Sequence, residues 1–305
     1  MRARTIAILF AASSVVTLGL RAAGVFGRDS NGHRNIRVHV NQQGGEDVSV
    51  NDDADLPGEG LALARSTGEG DEFTWAGLAG AGRTVEIRSI IGDMTVSAAT
   101  GDSVRVVGIR QRTDGSDQVH LRVIDRGDRI TVCAAQPQRG SGTVGCGTAM
   151  LGLSGRKDMR GDVRVDFDVQ LPAGVRLIAR AVDGNVKATG LDGRIDATNI
   201  NGDILLSTTD AAVAKTVNGS IDATVGRLLE EDGSFKTVNG DVTLHMPAKL
   251  GARIDASSLT GEVSSSLPLQ AREMKRAHLK GVLGGGGPEV ELKTVSGNVK
   301  LLPTP

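Results

Sequence analysis

The sequence predicts an all-β fold: a stacked, solenoid-like repeat of short strands, about 20 residues to a rung, with a less regular β-rich part ahead of it. Three observations carry this. Short runs alternate apolar and polar residues with a period of two. Many of these runs flank a glycine that follows Asn or Asp. The glycine-centred unit also recurs, its stronger copies standing 17 to 21 residues apart.

In each unit an apolar residue stands two places before the glycine and another two places after it, with a small or apolar residue four after. The glycines are Gly92, Gly184, Gly193, Gly202, Gly219, Gly240, Gly261 and Gly297. Around Gly240 the set is Val238, Val242 and Leu244. Such alternation reads as strand, tight turn, strand with one buried face, and it assigns Val238 to the core beside Val242. Asp183-Gly184, Asn201-Gly202, Asn218-Gly219 and Asn239-Gly240 are dipeptides that tolerate φ above zero. Asn-Gly is also a strong hairpin signal, so an antiparallel meander competes with the solenoid. Like residues at equivalent positions favour the solenoid, because stacked rungs pile similar side chains into ladders. Gly193 falls near mid-rung, and 207–216 has no glycine at the matching place.

Composition supports thin, regular layers. The chain has 305 residues with 42 Gly, 2 % aromatics, one Trp and no Tyr, so its core must come from Val, Ile, Leu and Ala. Residues 1–24 read as a signal peptide: Arg2 and Arg4 precede an apolar run from Thr5 to Leu20, and Ala22-Ala23-Gly24 offers small residues for cleavage. The alternative is an uncleaved membrane anchor; the run is shorter than the roughly 20 apolar residues of a comfortable span, so cleavage is expected, with no span in the mature chain. Loss of Arg2, Arg4 and Arg21 takes the net charge from −1 to about −4, no footprint for nucleic acid. Residues 25–72 read as a flexible Gly/Asp-rich spacer, 73–170 as the β-rich N-terminal part, and 171–305 as the repetitive part. Leu269 to Lys280 is the only mature stretch that suits a short helix, with a long loop as the alternative.

Cys133 and Cys146 are the only cysteines. In an oxidising compartment such a pair closes a loop, which contributes about 3 kcal/mol in the chain-entropy picture. A metal pair would need further ligands nearby, and a redox couple would need C-x-x-C.

A search for chemistry returns little. Gly140-Ser-Gly142-Thr-Val-Gly145 matches G-x-G-x-x-G, but it lies between the cysteines with no helix pattern after it. His33, His39, His120, His245 and His278 are dispersed and form no ligand spacing. Asp196, Asp203, Asp222, Asp241 and Glu262 are candidates for alignment along one exposed face, where two carboxylates about 5–10 Å apart would act on a glycoside. The plainer reading makes them outward polar positions of alternating strands. No catalytic, cofactor-binding or metal-ligating residue is assigned, and no cofactor is expected.

Two stretches resemble a known family: F-T-W-A-G with R-T-V-E-I-R-S-I-I-G-D-M-T-V, and D-V-R-V-D-F-D-V-Q-L-P-A-G-V followed by repeated T-V-N-G-(D/S)-(V/I). The ending G-V-L-G-G-G-G-P-E-V-E-L-K-T-V-S-G-N-V-K-L is similar to its C-terminal signature. The family is the bacterial candidate-adhesin family of β-strand repeats of unknown function, and the likeness spans roughly residues 73–302. It implies an exported stacked β-sheet protein and carries no ligand or catalytic residue with it.

The function expected is therefore a non-catalytic exported protein of the cell envelope, periplasmic or at the cell surface, with a structural or binding role. Its partner would be an envelope protein or a polysaccharide, not nucleic acid. The alternatives are a glycan-active enzyme using stacked carboxylates, and a scaffold that self-associates end to end through uncapped terminal rungs.

Overall fold

The computed structural model describes residues 60–62, 72–111, 120–135, 164–227 and 232–304, all within one unit, Glu59–Pro305. The regular structure among them is strand throughout. In chain order the first strands are β1 (Gly60–Ala62), β2 (Glu72–Leu78), β3 (Thr84–Arg88), β4 (Met94–Ala98), β5 (Ser103–Gln111), β6 (His120–Asp125) and β7 (Arg129–Ala135). Next come β8 (Arg164–Leu171), β9 (Arg176–Arg180), β10 (Val186–Leu191), β11 (Ile195–Thr198), β12 (Ile204–Thr208), β13 (Ala212–Lys215) and β14 (Ile221–Val225). The last are β15 (Gly233–Lys236), β16 (Val242–Met246), β17 (Ala252–Ser258), β18 (Val263–Ser265), β19 (Leu269–Lys275), β20 (His278–Leu283), β21 (Glu289–Thr294) and β22 (Val299–Pro303).

The strands form two sheets. The first runs β1-β6-β7-β3-β9-β11-β13-β15-β21-β17-β20-β19, the second β18-β22-β16-β14-β12-β10-β4-β8-β5-β2. Each Asn-Gly or Asp-Gly turn carries the chain from one sheet to the other, so its flanking strands pair with other rungs in parallel. This is the solenoid and excludes the meander. One hydrophobic core runs between the sheets from Phe73 to Leu301. Its ladders are Leu177, Ile195, Ala212, Gly233, Val290 and Ile254 on one side, and Val186, Ile204, Ile221, Val242 and Val299 on the other. Phe235 is fully buried beside Ala214, its partner in register. At the other end Gly108 stands opposite both Phe73 and Phe167, and a Cβ there would lie 1.7 Å from the Phe73 ring. The glycine lets the two rings meet edge to face at 6.3 Å.

Rung order departs from chain order at both ends. Strands β3 and β4 lie between the β7/β8 pair and the β9/β10 pair. Strands β21 and β22 lie between β15/β16 and β17/β18. The end rungs then carry antiparallel strands: β6 and β1 beyond β7, β5 and β2 beyond β8, and β20 and β19 beyond β17. At three of the four sheet edges the outermost strand is therefore antiparallel to its neighbour, while β18 ends the second sheet in parallel.

One local expectation is corrected. Leu269 to Lys280 is neither helix nor loop; it forms most of the β19–β20 hairpin. Leu279 and Leu283 are buried, and pairing with β17 overrides the helix propensity of Ala, Arg, Glu and Met. Gly60–Ala62, inside the stretch read as spacer, pairs with β6. The signal segment, spacer residues 25–59 and 63–71, Gly140–Gly145, Cys146, His33 and His39 lie outside the described residues.

Candidate binding surface

The repeating turn is built residue by residue. Take Lys236-Thr237-Val238-Asn239-Gly240-Asp241. Thr237 is buried, and its hydroxyl donates to the Gly219 carbonyl of the neighbouring rung at 2.8 Å. Thr294 does the same to Gly240 at 2.9 Å, and Ser258 to Gly297 at 2.7 Å. Asn239 Nδ2 donates to Asn218 Oδ1 at 2.8 Å, and Asn218 Nδ2 to Asn201 Oδ1 at 2.9 Å, so the asparagines form an outward ladder. At Gly240 φ is +146°, and a Cβ would lie 2.2 Å from the Gly219 carbonyl oxygen. Gly92, Gly184, Gly202, Gly219 and Gly297 occupy the same column in other rungs, each against the backbone of the rung before it. Gly261 continues it against Gly297, whereas Gly193 serves the opposite corner, against Val175.

Asp241 completes the turn by accepting the Asn298 backbone N–H at 2.7 Å, as Asp203 accepts that of Ser220 at 2.7 Å. The chain of such contacts runs Asp166, Asp93, Asn185, Asp203, Ser220, Asp241, Asn298 to the Glu262 N–H. The apolar residue two before the glycine faces solvent here: Val238 is 40 % exposed, not in the core as the alternation suggested. The turn interrupts the period of two, and it is Thr237 that points inward.

The five candidate carboxylates do not form one cluster: Asp203, Asp241 and Glu262 share the turn column, whereas Asp222 and Asp196 lie on the outer faces of opposite sheets. Asp203 and Asp241 lie in the turn column, two rungs or about 10 Å of strand spacing apart, with Ser220 between them. Glu262 pairs with Arg276 at 3.0 Å. Asp222 is on the outer face of the second sheet, 3.7 Å from His245 Nε2. Asp196 is on the outer face of the first sheet, held by Arg176 and Arg194. Of the remaining histidines, His120 begins β6, and His278 lies 3.7 Å from Glu273. Cys133 is buried on β7, and its expected partner Cys146 lies outside the described residues. Among the described residues no group of three His, Cys, Asp or Glu is placed to hold a metal.

The feature that the glycine pattern did not reveal lies on the outer face of the first sheet. Register aligns Arg88, Arg180, Thr198, Lys215, Lys236 and Lys293 across successive rungs. A parallel column beside it carries Glu86, Ile178, Asp196, Val213, Ser234 and Glu291. Glu86, 1 % exposed, accepts from Arg88 and Arg180 at 2.9 Å and from Arg129 at 3.3 Å. Glu291 holds both Lys236 and Lys293, and these bonds keep its carboxyl below the usual glutamate range, Lys236 first. The carboxylates sit beneath cations that outnumber them. Lys215 is exposed and makes no ion pair among the described residues. The signal for this row was available: Lys precedes Thr-Val three times, at Lys215, Lys236 and Lys293. A recess of about 190 Å³ adjoins this face beside β17 and β20, lined by Arg253, Asp255, Arg272, Lys280 and Glu289.

Two sheets, parallel rungs and side-chain ladders along the corners define an all-β stacked-repeat protein with broad displayed faces. The chain belongs to the Toastrack DUF4097 family, whose profile matches residues 81–302. No curated protein matches it. Among solved structures it is similar to a candidate cell adhesion protein of Clostridium sporogenes, with 13 % identity over 75 % of this chain and 98 % of that one, TM-score 0.42. A candidate adhesin of Bacteroides fragilis gives 10 % identity over 77 % and 98 %, TM-score 0.34. One of Parabacteroides merdae gives 11 % over 80 % and 100 %, TM-score 0.21. Among the described residues no helix is long and apolar enough to cross a membrane.

Proposed function

We propose that the chain is an exported, non-catalytic protein of the cell envelope that binds a surface component in an adhesin-like way, through the outer faces of its stack. One observation carries this reading: the carboxylates that could do chemistry are occupied in holding the fold. Asp203 and Asp241 each accept a backbone N–H of the next rung, so a carboxylate oxygen of each is engaged in closing a turn. Asp196 is committed to two arginines. Glycoside hydrolysis needs one carboxyl ready to donate a proton and another facing the sugar or a water.

Export belongs to the same reading. It is supported by the basic-apolar-small order of residues 1–24 and by the lone pair Cys133 and Cys146, whose expected disulfide an oxidising compartment would preserve. The test uses protein recovered from the envelope fraction and incubated with isolated envelope material. Co-sedimentation without release of reducing sugar ends supports the binding role. Release that vanishes in Asp203→Ala or Asp241→Ala overturns it in favour of a glycan-active enzyme. An N-terminus still at Met1, or two thiols that alkylate without reduction, overturns the export part.

A further inference from the structure

The geometry points to the outer face of the first sheet as a docking surface for a linear polysaccharide that bears carboxylates, laid along the stack axis over the Arg88–Lys293 row. This rests on the binding role proposed above and names its ligand class.

Three properties of the face lead there. The row repeats with the rungs, so its side chains recur about every 4.8 Å along the stack and are cationic at every position but Thr198. A pyranose unit is about as long as that spacing, so a chain of uronic-acid units meets a cation at nearly every step. Secondly, the cations are held in place. Glu86 anchors Arg88, Arg129 and Arg180, Asp196 anchors Arg176 and Arg194, and Glu291 anchors Lys236 and Lys293. Glu86 and Glu291 are more buried than the cations they hold, so excess positive charge faces outward there and loses little side-chain freedom on binding. Lys215 stands mid-row with its charge uncompensated among the described residues. Thirdly, charge is segregated. The chain as a whole is at −1, while the turn corner collects Asp93, Asp203, Asp241 and Glu262, four carboxylates against the paired Arg164 and Arg276. A polyanion is drawn to one face and repelled from that corner.

A single-stranded nucleic acid would also be attracted by charge, but it needs aromatic platforms for its bases. Phe73, Phe167 and Phe235 are buried in the core, and Trp75 packs against it. Sugar carboxylates require only the cation row.

The experiment measures binding of the mature protein to polygalacturonate at low and at physiological salt, with dextran and single-stranded DNA as comparisons. Polygalacturonate should bind, weaken as salt rises, and exceed both comparisons at equal salt. Lys215→Glu should weaken it roughly three- to tenfold with an unchanged melting temperature. The Lys236→Gln/Lys293→Gln double variant should weaken it by a similar factor, whereas Lys187→Glu/Lys300→Glu, on the other sheet, should leave it unchanged. No binding of polygalacturonate, stronger binding of DNA, or equal loss from both faces overturns the inference. If envelope material still co-sediments with Lys215→Glu at wild-type strength, this inference fails while the binding role stands. If wild-type protein sediments with none, the role itself fails.

Discussion

The Thr237 hydroxyl donates to the Gly219 carbonyl at 2.8 Å, across the gap between two rungs. That bond explains why a polar residue occupies a buried corner. The glycine column brings backbones so close that the carbonyl of one rung is shielded from water by the next. A buried carbonyl without a donor is costly, and threonine supplies one from the adjacent rung while its methyl group packs inward.

Replacing Thr237 with Val keeps the shape and removes the donor. The expected loss is about 1–2 kcal/mol, read from urea unfolding at constant m-value. Thr237→Ser should recover most of it. A Val variant as stable as wild type would mean that the Gly219 carbonyl finds another donor.

Gly240 tests the close approach itself. With φ at +146° and a Cβ at 2.2 Å from the Gly219 oxygen, Gly240→Ala should destabilise by about 3 kcal/mol or more. Gly101 has no heavy atom within 4 Å of a built Cβ, so Gly101→Ala should stay within about 0.5 kcal/mol of wild type. Equal effects at the two positions would contradict the stacked column.

Val238 and Val242 separate the surface from the core. Val238→Asp should cost under about 1 kcal/mol, because its side chain already meets water. Val242→Asp, at a fully buried position, should cost about 4 kcal/mol or prevent folding. Thermal melts of the two variants decide this, and the reverse order would restore the assignment drawn from simple alternation.

That contrast shows how far local pattern reaches. Within strands the period of two identifies the buried partners correctly: Val242 with Leu244, Ile221 with Ala223. It loses the phase at the turn, where left-handed Gly240 redirects the chain and Val238 swings outward. Rung order is less legible still. Val299 reads like Val242 or Ile204, so nothing in the local repeat tells that β22 pairs with β16 and leaves β18 beyond it. The β19–β20 hairpin is hidden because Arg272, Glu273, Met274 and Lys275 favour helix, while the edge of β17 that recruits them is distant in sequence. The basic row is visible in Lys-Thr-Val alone, but Arg180 and Arg88 join it only through register.

The last prediction concerns pH. Glu291 accepts from Lys236 and, next, from Lys293, and both hold its carboxyl below the ordinary glutamate value of about 4.3. A group whose pKa is depressed on folding stabilises the native state fully above its unfolded pKa. That contribution fades as pH falls through the folded value. Glu291→Gln should therefore be less stable than wild type by about 0.5–1 kcal/mol at pH 7, the scale of a partly exposed ion pair. The difference should shrink below about pH 4.3 and vanish once the wild-type carboxyl is itself protonated. Urea titrations of both proteins from about pH 7 to pH 3 measure it. A gap that stays constant across that range would show that the Glu291→Gln change acts through packing, and that the two lysines draw no stability from the carboxylate between them.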